Sequence, residues 1–349
     1  MKRIVSLDLL RGLAALAVAI PHFLIYHSIH ANFFEAFSAI SVEVFFVLSG
    51  FVLAPQILQL LPGNRLRDLR IFLVRRWMRT VPPYVVSLIL ISILLNTLLT
   101  EAFFRYLFYV QNLLSMSDLN DFFPIAWSLS VEEWFYVCFP PIIIFSATLT
   151  RTNHRTVSYI VATLTFIAAI SIARILFGHN SDWGMNVRRV VVFRIDSIAY
   201  GFGLYLINKT YFASSISTRL LASIVGLLVL LTASTFVLTM TILTDMSISK
   251  QFFPFACGLF GMAAVQLFLF CDRYIQRSPA VSRFGLLLGR ISYSVYLFHL
   301  IIILILNSRA PHMSALIQFC LYIATLAIFC YCFYRWFEKP ILLARPEYH

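Results

Sequence analysis

Residues 6–22 read SLDLLRGLAALAVAIPH, and this segment already indicates a membrane protein. Most of it is an apolar run, typical of a helix that spans a bilayer, which needs roughly 20 mainly apolar residues. The run nevertheless contains Asp8 and Arg11 near its start and His22 near its end. Ionisable groups inside a membrane are costly, and by default they face the protein interior and mark a functional site.

Arg11 and His22 lie on the same face of this predicted helix. Their spacing corresponds to about 20° more than three full turns, and to about 16 Å along the axis. Arg11 is therefore expected in the inner leaflet and His22 in the outer half of the span. The structural alternative is an Arg11 that extends to the cytoplasmic surface and a His22 at the interface. Asp8 is expected either to pair with Arg11 at i, i+3 or to act directly.

The composition extends this interpretation to the whole chain of 349 residues, of which 60% are hydrophobic and 12% charged. Soluble domains are about 45–50% apolar and about 25% charged. The sequence therefore predicts an all-α integral membrane protein, a bundle of about ten transmembrane helices forming a single domain without an attached soluble domain. The predicted spans are 5–27, 40–59, 81–99, 125–147, 157–177, 190–208, 218–240, 253–271, 290–307 and 314–335.

The net charge of +12 has two explanations, nucleic-acid binding and membrane topology. With the N-terminus inside, 20 of the 27 Lys and Arg residues fall in cytoplasmic segments or at span ends facing them. This bias sets the orientation of membrane proteins. It predicts that both termini are cytoplasmic, and no nucleic-acid partner is needed. The six Cys lie in or beside apolar runs without a CxxC pair, so neither a metal site nor a disulfide framework is predicted.

The second predicted span begins SVEVFFVLSGF, residues 41–51. Glu43 lies near the outer end, at a depth similar to that of His22. A carboxylate there is suited to hold the tautomer and orientation of a histidine base. Ser49 and Gly50 predict a close approach to a neighbouring helix, and packing alone also explains them.

The third predicted span is preceded by RRWMR, residues 75–79. Arg76 and Arg79 are i, i+3 neighbours on one helix face. Two guanidinium groups so placed are suited to bind a phosphate. The alternative is ordinary anchoring by positive residues at the cytoplasmic surface.

Three further segments place polar residues within apolar runs. PIAWSLSVEEWFY, residues 124–136, begins the fourth span, where a solvated helix start is the alternative explanation. FRIDSIAYG, residues 193–201, predicts an internal ion pair, and GRISYSVYLFHL, residues 289–300, carries a histidine past the midplane. The candidate site residues in these segments are Trp127, Ser128, Ser130, Glu132, Glu133, Arg194, Asp196, Tyr296 and His299.

These motifs, in this order, resemble the acyltransferase-3 family of bacterial transmembrane O-acyltransferases, which modify surface polysaccharides. The resemblance rests on LDLLRG with Arg11-x10-His22, EVFFVLSGF, Arg76-x-x-Arg79, WSLSVEEWFY and SYSVYLFH, and it covers nearly the whole chain. One departure is that Leu300 and Ile301 follow His299, where the family often has a proline two residues after the histidine. Many members also carry an extra esterase-like domain, which is not expected here.

The resemblance implies a function in the bacterial inner membrane. The family takes an acyl group from cytoplasmic acyl-CoA, usually acetyl-CoA, to a hydroxyl of an extracytoplasmic carbohydrate, such as a lipopolysaccharide O-antigen, free or lipid-linked. His22 and Glu43 are then the catalytic candidates, and Arg11, Arg76 and Arg79 the acyl-CoA-binding ones. Acyl-CoA is the donor substrate, no bound cofactor is expected, and membrane lipids surround the helices.

Two other classes of protein are compatible with buried charges. A transporter or flippase of a lipid-linked sugar or small anion also uses intramembrane Arg, Glu and His. Transporters, however, often show a repeat with broken helices at matching positions, and the sequence shows none. A non-catalytic scaffold would not require charged clusters along one path.

Overall fold

The computed structural model describes residues 3–27, 31–60, 65–116, 121–150, 154–178, 183–212, 224, 226 and 247–347. Within these residues all regular secondary structure is helical, which confirms the predicted all-α class. The α-helices are α1 Val5–Tyr26, α2 Ala31–Gln59, α3 Arg65–Leu94, α4 Glu101–Leu107, α5 Ala126–Thr148, α6 Arg155–Phe177, α7 Trp183–Asn186, α8 Asp196–Ile207, α9 Ser247–Arg277, α10 Pro279–Arg309, α11 Ala315–Phe333 and α12 Lys339–Leu343.

Shorter helical turns connect some of these helices. A 3₁₀ turn, Val191–Phe193, precedes α8, and a π-helical turn, Asn208–Phe212, follows it. A second π-helical turn, Tyr334–Glu338, joins α11 to α12. In the part of the chain that the structure describes, eight helices are long and apolar enough to cross a membrane: α1, α2, α3, α5, α6, α9, α10, and α11 with its continuation to Leu343.

Eight of the ten predicted spans thus correspond to long helices. The predicted span 218–240 lies almost entirely outside the described residues. The predicted span 190–208 is wrong as a continuous helix, because α8 has only 12 residues and begins at Asp196. The segment before α8 contains three arginines with partners elsewhere in the fold. Arg188 lies over the ring of Trp127, Arg189 binds Asp121, and Arg194 binds Glu43.

The described helices form two compact units. The first comprises Met1–Val42, Trp77–Leu98 and Cys271–Arg345, and the second comprises Glu43–Arg76, Leu99–Phe270 and Pro346–His349. Helices α2, α3 and α9 each contribute to both units.

The first unit is organised around α10, with α1 packed closely along it. A Cβ on Gly289 would overlap Asp8, and a Cβ on Gly12 would overlap Leu288. Small residues at such positions let two helix backbones approach, which is the usual basis of helix packing in membranes. The opposite side of α10 packs on α11, where Phe298 contacts Phe329 with ring centroids 4.9 Å apart.

The second unit has a similarly close contact between α2 and α8. A Cβ on Gly50 would overlap the carbonyl oxygen of Ile198, and a Cβ on Gly201 would overlap that of Val47. The close approach predicted at Gly50 is therefore confirmed. Phe139 of α5 packs on Phe202 of α8 with centroids 5.0 Å apart, which extends the same apolar core.

Candidate functional site

His22 and His299 form the central contact of the first unit. Nδ1 of His22 lies 2.9 Å from Nε2 of His299. The two rings are 14° from parallel with centroids 5.0 Å apart, so they meet edge to edge through a hydrogen bond. His299 is completely buried, whereas His22 is half-buried. The structure therefore joins two histidines that lie far apart in the sequence.

The backbone of α10 fixes the tautomer of this pair. Nδ1 of His299 lies 2.7 Å from the carbonyl oxygen of Tyr296 and 3.2 Å from that of Val295. A carbonyl oxygen only accepts, so Nδ1 of His299 carries the proton. With both rings neutral, Nε2 of His299 accepts from Nδ1 of His22. The lone pair of His22 is then on Nε2, the atom that a general base or nucleophile would use.

Neighbouring contacts hold α1 in register beside this pair. The hydroxyl of Tyr322 on α11 donates to the carbonyl oxygen of Ala19, at 2.9 Å. The ring of Tyr322 also stacks on Phe23, with centroids 5.0 Å apart. Residues on both sides of His22 in the sequence are therefore fixed by α11, while the glycine contacts fix the other end of α1 on α10.

Charged residues collect at that other end of α1. Asp8 accepts from Nε of Arg3 at 2.5 Å, and a guanidinium nitrogen of Arg11 lies 3.7 Å from its second oxygen. The predicted i, i+3 pairing of Asp8 with Arg11 is therefore confirmed. Asp8 also lies against Gly289, which is ten residues, or about 15 Å along the axis, from His299.

The same unit contains a buried carboxylate that the sequence analysis missed. Glu338 accepts a hydrogen bond from the hydroxyl of Ser294 and lies close enough to Arg79 to interact with its charge. It is 6% exposed and ends the π-helical turn that follows α11. Such turns are rare and often occur at functional sites. The signal in the sequence was a lone acidic residue at the end of an apolar run.

Arg79 itself makes neither a hydrogen bond nor an ion pair within 4 Å, as far as the described residues show. Its backbone position is fixed nonetheless, because the hydroxyl of Tyr293 on α10 donates to the carbonyl oxygen of Thr80 at 2.7 Å. Arg79 is half-buried, so its guanidinium can still be reached by a ligand.

Two neighbouring ion pairs form the polar centre of the second unit, and each uses one residue of the segment Arg194–Asp196. Arg194 donates to Glu43, and Arg174 donates to Asp196 at 2.6 Å. All four side chains are almost completely buried. The ion pair predicted between Arg194 and Asp196 is therefore wrong, because each has a different partner. Arg174 was missed, although an arginine within the apolar run of α6 is itself a signal.

Glu43 thus has a guanidinium partner, and His22 has an imidazole partner. The second oxygen of Glu43, Oε2, is buried and has no hydrogen-bond partner among the described residues. The orienting role of Glu43 toward a histidine stays a prediction, because the two residues belong to different units.

Hydrogen bonds between polar side chains also connect α2 with α5. Glu132 accepts from the hydroxyl of Ser49 at 3.0 Å and from the hydroxyl of Tyr136. Two turns further along α2, the side chain of Gln56 accepts from Arg76, whose guanidinium lies 5.9 Å from the ring centroid of Phe72. Both Ser49 and Arg76 therefore have defined polar partners.

The remaining predicted residues of α5 stabilise its first turns. Ser128 donates to the carbonyl oxygen of Ile125, and Ser130 accepts from Gln111 at 2.7 Å. The guanidinium of Arg188 lies over the ring of Trp127, 5.8 Å from its centroid. Glu133 is also buried. These contacts give α5 a fixed, mostly buried start rather than a solvated one.

Metal ligation is not indicated in the described part of the chain, where no group of three or more His, Cys, Asp or Glu side chains could hold an ion. The chemistry available is that of an imidazole, carboxylates and guanidinium groups. A histidine pair with one buried and one half-buried ring, together with cationic residues on one face of a membrane helix, suits proton transfer or nucleophilic attack on an anionic substrate.

Comparison with known proteins agrees with this chemistry. The model of the acyltransferase-3 family, described as an acyltransferase domain, matches residues 4–335. The chain therefore belongs to this family, as the ordered motifs predicted, and it is a multi-pass membrane protein.

The relatives that match the chain include O-acetyltransferases. The chain is 24% identical over 365 residues to the O-acetyltransferase OatA of Staphylococcus aureus strain NCTC 8325 / PS 47, and OatA of strain COL matches equally well. The match covers 96% of this chain but 57% of OatA, so the chain spans little more than half of the length of these relatives. No solved structure matches the chain.

Proposed function

We propose that this protein is a transmembrane O-acyltransferase that moves an acyl group, acetyl in the commonest case, from cytoplasmic acyl-CoA to a carbohydrate hydroxyl outside the cytoplasm. The observation that carries the proposal is the hydrogen bond between His22 and His299. Because this bond uses Nδ1 of His22, the lone pair of His22 is on Nε2, on the side of the ring away from His299. Membership of the acyltransferase-3 family and the names of the relatives support the reaction class.

The donor would bind with its phosphates at the charged end of the first unit. Arg11 and Arg79 supply guanidinium groups there, and Arg76 lies one helical turn before Arg79 on α3. Arginine recognises phosphate by two parallel hydrogen bonds and stays charged when partly buried. His22 lies about 16 Å from Arg11 along α1, a distance that the extended pantetheine arm would span to bring the thioester to the imidazole.

Nε2 of His22 would then act in one of two ways. As a base it takes the proton of the acceptor hydroxyl, whose oxygen attacks the thioester carbonyl; the C–S bond breaks, and the thiolate receives that proton. As a nucleophile it forms an acyl-imidazole with release of the thiolate; the acceptor oxygen then takes the acyl group, the N–C bond to His22 breaks, and the hydroxyl proton passes to the thiolate. Glu43 is proposed to assist by orienting or charge stabilisation in either route.

The acceptor is proposed to be a hydroxyl of a surface polysaccharide or its lipid-linked precursor, in the outer leaflet of the bacterial inner membrane. OatA is an O-acetyltransferase by name, and a hydroxyl acceptor follows for this chain by analogy.

Two measurements test this function. Purified protein in detergent is supplied with acetyl-CoA, and release of CoA is followed with and without a mixture of cell-surface glycans; glycans from cells with and without the gene are compared by mass spectrometry. We expect glycan-dependent CoA release and a mass difference of one acyl group. Substrate flux in liposomes without CoA release would favour a transporter instead.

A further inference from the structure

We propose that His299 is a positioning residue that selects the reactive tautomer of His22. This inference rests on the proposed O-acyltransferase function and extends it to a residue whose role the sequence left open. We call this arrangement the relay: a chain of hydrogen bonds from the backbone of α10 to His299 and from His299 to Nδ1 of His22, which leaves the lone pair of His22 on Nε2. It does the work that a carboxylate does beside the histidine of many hydrolytic enzymes.

The direction of each hydrogen bond follows from the backbone of α10. The carbonyl oxygen of Tyr296, at 2.7 Å, forces Nδ1 of His299 to be a donor. An imidazole that donates from Nδ1 and is neutral must accept at Nε2. The neighbour at that atom is Nδ1 of His22, at 2.9 Å, which must therefore donate.

His299 stays neutral in this position. It is completely buried, and a lone charge in such a place is strongly disfavoured unless a counter-charge accompanies it. Its other ring neighbour, Tyr296, contributes a phenol ring 6.0 Å away and no charge. A neutral His299 accepts one hydrogen bond at Nε2, so it stabilises one tautomer of His22 over the other.

His22 on its own has no fixed tautomer. The two neutral tautomers of imidazole differ little in energy, so an unassisted His22 would populate both. Only the form protonated on Nδ1 has its lone pair on Nε2. Because His299 contacts Nδ1 of His22, this tautomer is the one that His299 favours.

Two substitutions of His299 separate positioning from simple packing. His299→Leu removes the acceptor, whereas His299→Gln keeps a carbonyl oxygen that can accept from His22 and an amide that can donate to the backbone. We expect His299→Leu to lower kcat about 100-fold or more with the KM for acetyl-CoA unchanged, and His299→Gln to recover at least about tenfold of that loss. Equal losses in the two variants would overturn the proposal.

Tyr322→Phe is the matched control. It removes a buried hydrogen bond to α1 three residues before His22 but keeps the ring that stacks on Phe23. We expect kcat to stay within about threefold of the wild type, since a neutral hydrogen bond contributes about 1 kcal/mol mainly to stability. A loss as large as that of His299→Leu would mean that helix position, and not the tautomer, controls the rate.

A spectroscopic measurement distinguishes failure of this inference from failure of the proposed function. Protein with ¹⁵N-labelled histidine has eight such residues, and the signals of His22 are assigned by their loss in His22→Gln. We expect the wild type to be protonated on Nδ1 of His22 and His299→Leu to lose that preference. The same result in an enzyme without transferase activity would keep the relay and reject the function; protonation of Nε2 in an active wild type would reject the relay alone.

Discussion

Glu43 of α2 and Arg194, two residues before α8, form an ion pair from which solvent is almost completely excluded. Removing one partner of a buried pair leaves an uncompensated charge, which costs about 3–5 kcal/mol. We expect Arg194→Met to lower the melting temperature of the detergent-purified protein strongly, and Glu43→Met with Arg194→Met to recover part of the loss. Additive losses in the double variant would contradict the pairing.

The same residue allows a test of its catalytic role. We expect Glu43→Gln to lower kcat more than it changes the KM for acetyl-CoA, because the proposed action is on the reacting groups and not on the donor phosphates. We expect Glu43→Gln to lower stability as well, because it leaves Arg194 without its counter-charge, so kcat is to be measured well below the melting temperature. An unchanged kcat in the folded variant would leave Glu43 with a structural role only.

Two glycines of α8 give a sharp test of the packing in the second unit. A Cβ at Gly201 would overlap the carbonyl oxygen of Val47, whereas a Cβ at Gly203 meets only a methyl carbon of Thr163 at 3.8 Å. We expect Gly201→Ala to destabilise by about 1–3 kcal/mol despite its better helix propensity. Gly203→Ala should be neutral or slightly stabilising; thermal melts that rank the two in the opposite order would contradict the close approach.

Substitutions of Arg79 and Arg174 distinguish an arginine that binds the donor from one that stabilises the fold. Arg79 has no ion-pair partner within 4 Å among the described residues, whereas buried Arg174 pairs with Asp196. We expect Arg79→Ala to keep the melting temperature and to raise the KM for acetyl-CoA about 10- to 100-fold, the loss of one charged hydrogen-bonding group.

The control variant, Arg174→Ala, should instead lower the melting temperature and the yield of folded protein. A rise in the KM for the acceptor rather than for acetyl-CoA in Arg79→Ala would place this arginine elsewhere in the reaction. Arg76→Ala combined with Arg79→Ala should raise the donor KM further, with kcat changed less.

Much of the fold could be predicted because apolar runs of bilayer length have a simple physical cause. Eight predicted spans correspond to long helices, and the i, i+3 pairing of Asp8 with Arg11 depends only on helix geometry. The runs predict the apolar segment and not the whole helix: α2 begins at Ala31 and α3 at Arg65, well before the predicted 40–59 and 81–99.

The partners of the buried charges could not be predicted in the same way. Arg194 and Asp196 are two residues apart, yet each pairs with a residue from another helix. Likewise, His22 and His299 were found separately, but only the packing of α1 on α10 brings them together. Pairing between distant helices depends on their register, which glycines such as Gly289 set and which one sequence does not reveal.

His22 is proposed to carry the acyl transfer. The decisive measurement of this role is acyl transfer from acetyl-CoA to glycan by His22→Ala protein whose melting temperature matches the wild type. We expect kcat to fall by about 10²- to 10⁴-fold or more, the contribution of a general base or nucleophile. Surface glycans acylated normally by a folded His22→Ala protein would contradict the account.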